Sequence, residues 1–163
     1  MRTVGLVVDV LRAYGLRARL VEWLKITFVV APLQRWYRKE AENAMRELRK
    51  LPIGTVGRDV VDMLDDRDLL LIPKFEDHDV KHLLLDYGMS PIDEIRMQCY
   101  LLGNGNRSLF CLIFVASAAI FPEYWSLFQE DFRKGKQAPS VLHVKLSEVK
   151  THHTTEVKSR ITC

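Results

Sequence analysis

Residues Phe75 to Gln98 constrain this chain more than any other stretch, because they specify two helices, the turn between them and the groups facing across it. The run His78-Asp79-Val80-Lys81-His82 puts two histidines four residues apart. On a helix that spacing leaves them about 40° apart around the axis and one turn apart along it, so both imidazoles can reach one ion. Asp86-Tyr87-Gly88 is a turn signal. Ser90 then suits an N-cap, Pro91 the first helical position, and Asp93 the free amides of the first turn. Glu94 falls in that turn, where a helical hairpin can return its carboxylate to the histidines. Two histidines and one carboxylate leave coordination positions open, as in a catalytic rather than a closed structural site.

The same pattern has a plainer reading. A histidine pair at this spacing is more often a surface feature or a hydrogen-bonded core feature than a metal site. Three features raise the metal reading. Asp79 adds a second carboxylate, Leu83 to Leu85 make the first helix largely apolar, and Ile92, Ile95, Met97, Cys99, Leu101 and Leu102 do the same for the second. An ionised glutamate in such surroundings costs several kcal/mol unless it is paired, roughly as for any buried charge.

The spacing carries a resemblance. His-Asp-x-x-His, eleven residues from Leu83 to Asp93, then Glu94, is similar to the signature of the coenzyme Q (ubiquinone) biosynthesis protein 4 family. Upstream, Pro52-Ile53-Gly54-Thr55-Val56-Gly57-Arg58 resembles its Pro-x-Gly-Thr-x-Gly segment. Downstream, Arg133-Lys134-Gly135-Lys136 resembles its basic stretch, with Lys136 where the family usually has Arg. The likeness runs from about Leu51 to about Arg160, leaving the amino-terminal third outside it.

The resemblance implies an all-α protein, a single compact multi-helix domain built round a metal-binding helical hairpin. It implies a divalent metal ion, zinc or iron, on His78, His82 and Glu94, with Asp79 a fourth ligand or an orienter of an imidazole. The implied activity is removal of the ring carboxylate of a polyprenyl-hydroxybenzoate precursor, with hydroxylation at the same carbon. The alternative within the family is a non-catalytic isoprenoid-lipid-binding scaffold that organises other quinone-biosynthesis enzymes. Arg58, Arg133 and Lys136 are the candidate carboxylate or headgroup contacts, and the apolar segment 108–121 the candidate tail-lining helix. A homodimer, peripheral to a membrane, is expected, cytoplasmic or, in a eukaryote, on the matrix side of the mitochondrial inner membrane. Two other metal enzymes fit worse: a zinc protease helix needs Glu where Asp79 stands, and a His-Asp phosphohydrolase needs upstream ligands, whereas no histidine precedes His78.

At 163 residues the simplest organisation is one domain over 1–163, with basic amphipathic helices (1–50), the metal-binding core (51–139) and a carboxy-terminal segment (140–163). The charge is uneven: +6 over residues 1–50, −5 over 51–139 and +2 over 140–163, within a net +3. Basic ends beside an acidic centre suit an anionic partner, and with no nucleic-acid-binding motif a membrane surface fits better than DNA or RNA. Trp23, Trp36 and Tyr37 beside Arg35, Arg38 and Lys39 suit a headgroup layer. An ordinary amphipathic helix packed on the core or on a second copy fits them better, since amphipathicity alone does not mark a membrane helix.

Helices are expected from about Thr3 to Val30 (interrupted at Gly15), from Leu33 to Lys50, and from Val56 to about Leu64 with Thr55 as cap. The free amides beside Arg58 can hold an anion, although a plain loop and cap fits the incomplete motif better. Leu69 to Ile72 reads as a short strand or a buried connection. Leu109 to Phe121 (LFCLIFVASAAIF) is too short to span a bilayer and reads as a buried helix or a pocket wall. A further helix from Pro122 should stop near Gly135. Leu142, Val144 and Leu146 alternate as a strand would, although the resemblance favours helix there. Cys99, Cys111 and Cys163 lack metal-ligand spacing and read as reduced thiols, and the amino terminus shows no evident signal peptide.

Overall fold

Helix α6, Pro91–Gly103, is the element on which the others are laid, and its sequence shows why. It presents Ile92, Ile95, Met97, Cys99, Tyr100 and Leu101 round most of its circumference, and all of them are buried. A helix apolar over most of its circumference needs neighbours on most of its sides. Its start is fixed locally. Ser90 Oγ accepts from Asp93 N (3.2 Å) and donates to Asp93 Oδ2 (2.7 Å), with Pro91 at the first position.

The structure, a computed structural model, describes residues 15–23, 27 and 30–162. Much of the expected helix from Thr3 to Val30, and Cys163, lie outside these residues. Residues 15–23 are helical (α1). The chain continues through α2 (Ala31–Trp36), α3 (Arg38–Leu48), α4 (Val56–Asp65), α5 (Glu76–Leu84), α6 and α7 (Leu109–Ser117). Two short 3-10 turns, Ala118–Ile120 and Pro122–Tyr124, lead to α8 (Trp125–Gln137), α9 (Leu146–Val149) and α10 (Thr154–Thr162). The fold is all-α: the described residues contain no β-strand, only an isolated bridge between Thr55 and His153.

One core cluster joins α3, α4, α5, α6 and the carboxy-terminal segment through Met45, Val60, Leu64, Val80, Met97 and Val157. A second lies between α6 and α8, where Ile95, Cys99, Phe121 and Phe128 meet Ala18 and Val21 of α1. The α6–α8 crossing is close because of two glycines. A Cβ on Gly103 would stand 2.1 Å from the Phe132 carbonyl oxygen, and one on Gly135 would stand 2.0 Å from that of Tyr100.

Several expectations change here. Gly135 does not stop a helix; it is buried within α8 at the crossing point. The helix expected over Leu33–Lys50 is two helices broken at Tyr37 (φ −99°, ψ 14°), which lets α3 lay Ala41, Met45 and Leu48 on the core. Thr55 holds the N-cap position of α4 without a side-chain cap, its hydroxyl donating instead to Pro52 O at 2.7 Å. The amides at the start of α4, which an anion site would have needed free, are taken, in keeping with the favoured plain loop: Val56 N donates to His152 O (3.0 Å) and Gly57 N to Lys150 O (2.9 Å). Leu69–Ile72 is a connection, with Leu71 buried. The strand-like alternation at 142–146 packs Val144 and Leu146 on the core through turns and a short helix, without a ladder. Of the two readings of the apolar run after Ser108, the pocket wall holds and the buried helix does not: Phe110 and Phe114 line a cavity, and within α7 only Cys111 is buried.

Candidate metal centre

Helix α5 ends at Leu84, and Asp86 turns the chain through the left-handed region (φ 56°), where a short polar side chain is tolerated. Tyr87 N donates to His82 O across this turn. The hairpin so formed sets the first turn of α6 against α5. His78 Nε2 lies 3.0 Å from Glu94 Oε1, and His82 Nε2 lies 3.1 Å from Glu94 Oε2. One ligand atom from each residue falls within 4.8 Å of the others. The two rings stand nearly edge to face, 4.7 Å between centroids. His82 is 2 % exposed and Glu94 5 %.

The surroundings orient these groups. His82 Nδ1 is 3.2 Å from the Tyr87 carbonyl oxygen, which only accepts. Nδ1 therefore carries a proton, and Nε2 is the nitrogen turned to the site. Asp79 is not one of the converging groups; its carboxylate stands 3.5 Å from His78 Nδ1 and does for that ring what the carbonyl does for His82. Gln98, one turn after Glu94, donates its amide to Glu94 Oε1 at 2.9 Å. Its own Oε1 is buried with no hydrogen-bond partner among the described residues. Farther out, buried Asp131 of α8 accepts from the Tyr87 hydroxyl (2.9 Å) and from Arg96 Nε (2.8 Å). The Arg96 guanidinium also stands 5.4 Å from the centre of the Tyr87 ring.

Burial opposes charge on His78, but hydrogen bonds to Asp79 and Glu94 outweigh it and hold its pKa at about 9. Burial likewise favours a neutral Glu94, yet the two histidines hold its pKa well below the usual carboxylate range. A proton thus lies where a cation of the same charge sign would. The donor set fits such a cation. Bonds of about 2.1 Å at tetrahedral angles separate two ligand atoms by about 3.4 Å, a few tenths more than the His–Glu distances here. The carboxylate offsets charge, both imidazoles are oriented from behind, and the Gln98 amide steadies the carboxylate with a donated hydrogen bond.

The triad opens on a cavity of about 440 Å³. Leu33, Leu69, Leu70, Ile72, Phe75, Met89, Phe110 and Phe114 supply its apolar walls, with Gln34 and Arg67 among the polar lining groups. Phe110 packs edge-on to the His78 ring at 5.9 Å. The predicted contacts Arg58, Arg133 and Lys136 do not line it. Arg58 pairs with Asp62 at 2.9 Å and donates to Arg49 O at 3.0 Å, and Arg133 and Lys136 are exposed on α8. Gln98 was legible as the residue one helical turn from Glu94. The Tyr87–Asp131–Arg96 group spans 44 residues and had no local signal.

No protein-family model matches this chain, and no curated protein does. A solved structure resembles it: a protein of Nostoc punctiforme PCC 73102, provisionally assigned to ubiquinone biosynthesis. The two are 16 % identical, with a TM-score of 0.56 over 98 % of this chain and 91 % of that one. At that identity the likeness establishes a shared all-α fold, and the chemistry has to be argued from the residues.

Proposed function

We propose that the chain is a metal-dependent protein of ubiquinone-type biosynthesis that oxidatively decarboxylates a polyprenyl-hydroxybenzoate precursor. The observation that carries this reading is the convergence of His78, His82 and Glu94 on one wall of an apolar cavity. The fold likeness to a protein provisionally assigned to that pathway supports it. A cavity of about 440 Å³ lies in the range of small-molecule sites and suits an aromatic acid with the start of its prenyl tail.

A divalent zinc or iron ion, when bound, supplies a Lewis acid that polarises a phenolic or carboxylate oxygen. The chain's own groups do the rest. His78, His82 and Glu94 would hold the ion, and Tyr87 O and Asp79 would keep the two imidazoles turned to it. Phe75, Phe110 and Phe114 exclude water and hold the ring and the start of the tail. In the reaction the ring carbon exchanges its bond to the carboxylate for a bond to oxygen, and the carboxylate leaves as carbon dioxide. That is a two-electron oxidation, which balances when water supplies the new ring oxygen and dioxygen takes up the electron pair and two protons to leave as hydrogen peroxide.

The test is release of labelled carbon dioxide from a carboxyl-labelled, short-prenyl hydroxybenzoate by protein loaded with iron or zinc. Release dependent on His82 and Glu94 supports the enzyme. Saturable binding of the same compound without turnover, under every metal and with dioxygen, favours the scaffold. That second reading draws on the exposed apolar surface of α7, which a lipid-handling scaffold would also need.

A further inference from the structure

The cavity beside the triad carries polar groups that the triad does not use. Besides His78, His82 and Glu94, its lining includes Glu22, Gln34, Arg67, Asp79 and Ser90. Asp79 serves His78, and Ser90 is committed to the start of α6. Gln34 and Arg67 remain as hydrogen-bond donors, and Arg67 is the one lysine or arginine among the lining residues.

The local fold sets Arg67 at the cavity's edge. Helix α4 ends in the paired hydrogen bonds of a Schellman turn, Leu69 N to Leu64 O (3.0 Å) and Asp68 N to Asp65 O (3.1 Å), with Asp68 left-handed at φ 55°. Leu64 and Leu69, on either side of the turn, both line the cavity. Three aspartates flank the arginine in Asp65-Asp66-Arg67-Asp68, yet among the described residues it pairs with none of them. Asp65 is gripped instead by Arg49, through Nε at 3.0 Å and Nη2 at 2.6 Å. Arg67 donates from Nη1 to Met63 O at 2.9 Å, which ties the guanidinium to its own helix. The Nε–Nη2 edge, the one with which Arg49 holds a carboxylate, has no protein acceptor among the described residues. Gln34 of α2 adds a second observation: its Nε2 is buried with no partner among those residues. A buried amide end left unpaired is unfavourable whichever way the amide is turned, so the lining suits a ligand with polar atoms as well as an apolar body.

We propose that Arg67 binds the carboxylate of the cavity's ligand through its Nε–Nη2 edge and so selects an aromatic acid over its neutral analogues. The inference rests on the ligand class proposed above and assigns the acid group to a side chain rather than to the metal centre. At the triad, the carboxylates of Asp79 and Glu94 offset a divalent ion charge for charge, so Arg67 is the fixed cation that an acid meets. Arg67 is exposed, and solvent screening sets the expected effect at about tenfold rather than the larger factor of a buried pair.

The test is equilibrium dialysis of a short-prenyl hydroxybenzoate and of its methyl ester against the full chain, metal-loaded and metal-free, for wild type, Arg67→Gln and Arg67→Lys. The readout is the ratio of acid to ester affinity, because a purely structural role at the end of α4 would move both affinities alike or neither. Arg67→Gln should lower the ratio about tenfold and leave ester affinity within about twofold of wild type. Arg67→Lys, which keeps the charge and loses the fork, should fall between. The same ratios are expected with and without metal. An unchanged ratio in Arg67→Gln overturns the inference, as does equal loss of acid and ester binding, which confines Arg67 to the helix end. An acid preference that appears only with metal also overturns it, because it assigns the carboxylate to the triad. The two proposals fail separately. Release of labelled carbon dioxide beside an unchanged ratio removes this inference alone, and an Arg67-dependent ratio without release removes the enzyme reading alone.

Discussion

Raising the pH through 9 should weaken the metal-free protein and strengthen its hold on metal, and both signs follow from His78. Its pKa rises from an ordinary 6.5 to about 9 on folding, because Asp79 and Glu94 outweigh the opposing effect of burial. A group that gains its partners in the folded state contributes stability that is fully present below 6.5 and lost as the pH passes 9. The difference corresponds to roughly 3 kcal/mol. It is counted once, since the lowered pKa of Glu94 expresses the same interaction. In urea this is a midpoint lower by about 1–2 M between pH 6.5 and 10. Metal-loaded protein should not show this loss, because the ion replaces the proton, and its affinity should rise about tenfold per pH unit until about 9. Glu94→Gln, which leaves Asp79 as the acidic neighbour of His78, should flatten the metal-free profile. The assay is urea unfolding followed by circular dichroism at several pH values. A metal-free midpoint constant from pH 6.5 to 10, or a Glu94→Gln profile as steep as wild type, refutes the reasoning.

Three further outcomes follow from the packing and the groups behind the site. Tyr87→Phe removes one of the two hydrogen bonds to buried Asp131 and should cost about 1–3 kcal/mol by thermal unfolding. It should also weaken metal binding about tenfold by loosening the turn behind His82, and an unchanged affinity would confine the network to a structural role. Gly135→Ala drives a methyl to 2.0 Å from the Tyr100 carbonyl oxygen and should destabilise by about 3 kcal/mol or more, whereas a melting temperature within about 2 °C of wild type would show that α6 and α8 separate easily. Burial pushes the Cys99 thiol up to about 12, so native protein at pH 8 should resist iodoacetamide at Cys99 until it is unfolded, as read by mass spectrometry.

What could be read from the sequence was local. Ser90, Pro91 and Asp93 announce the start of α6, and the i, i+4 histidines need only a helix to fall on one face. The hairpin then followed from a short turn, and with it the meeting of His78, His82 and Glu94. What could not be read depends on distant partners. The start of α4 is satisfied by carbonyls of Lys150 and His152, far along the chain, so Thr55 and Gly57 resemble an anion loop without being free to act as one. Gly135 looks like a helix stop, but its missing side chain serves a contact with Tyr100. The LFCLIFVASAAIF run shows only that it is apolar. Whether its sides face core, cavity or solvent depends on the helices beside it, and hydrophobicity carries no sign for that. The carboxylate contacts proposed on α4 and α8 failed to reach the cavity lining for the same reason, since basic residues report a charge and not a direction.

Whether the α5–α6 hairpin holds one divalent ion is decided by elemental analysis. Wild type, His82→Ala and Glu94→Ala would be purified under reducing, chelator-free conditions and their metal content measured beside their helical signal. About one metal per wild-type chain is expected, lost in both variants while the helical signal persists. Wild-type protein that holds no metal, even after reconstitution with zinc, iron and manganese, would contradict it.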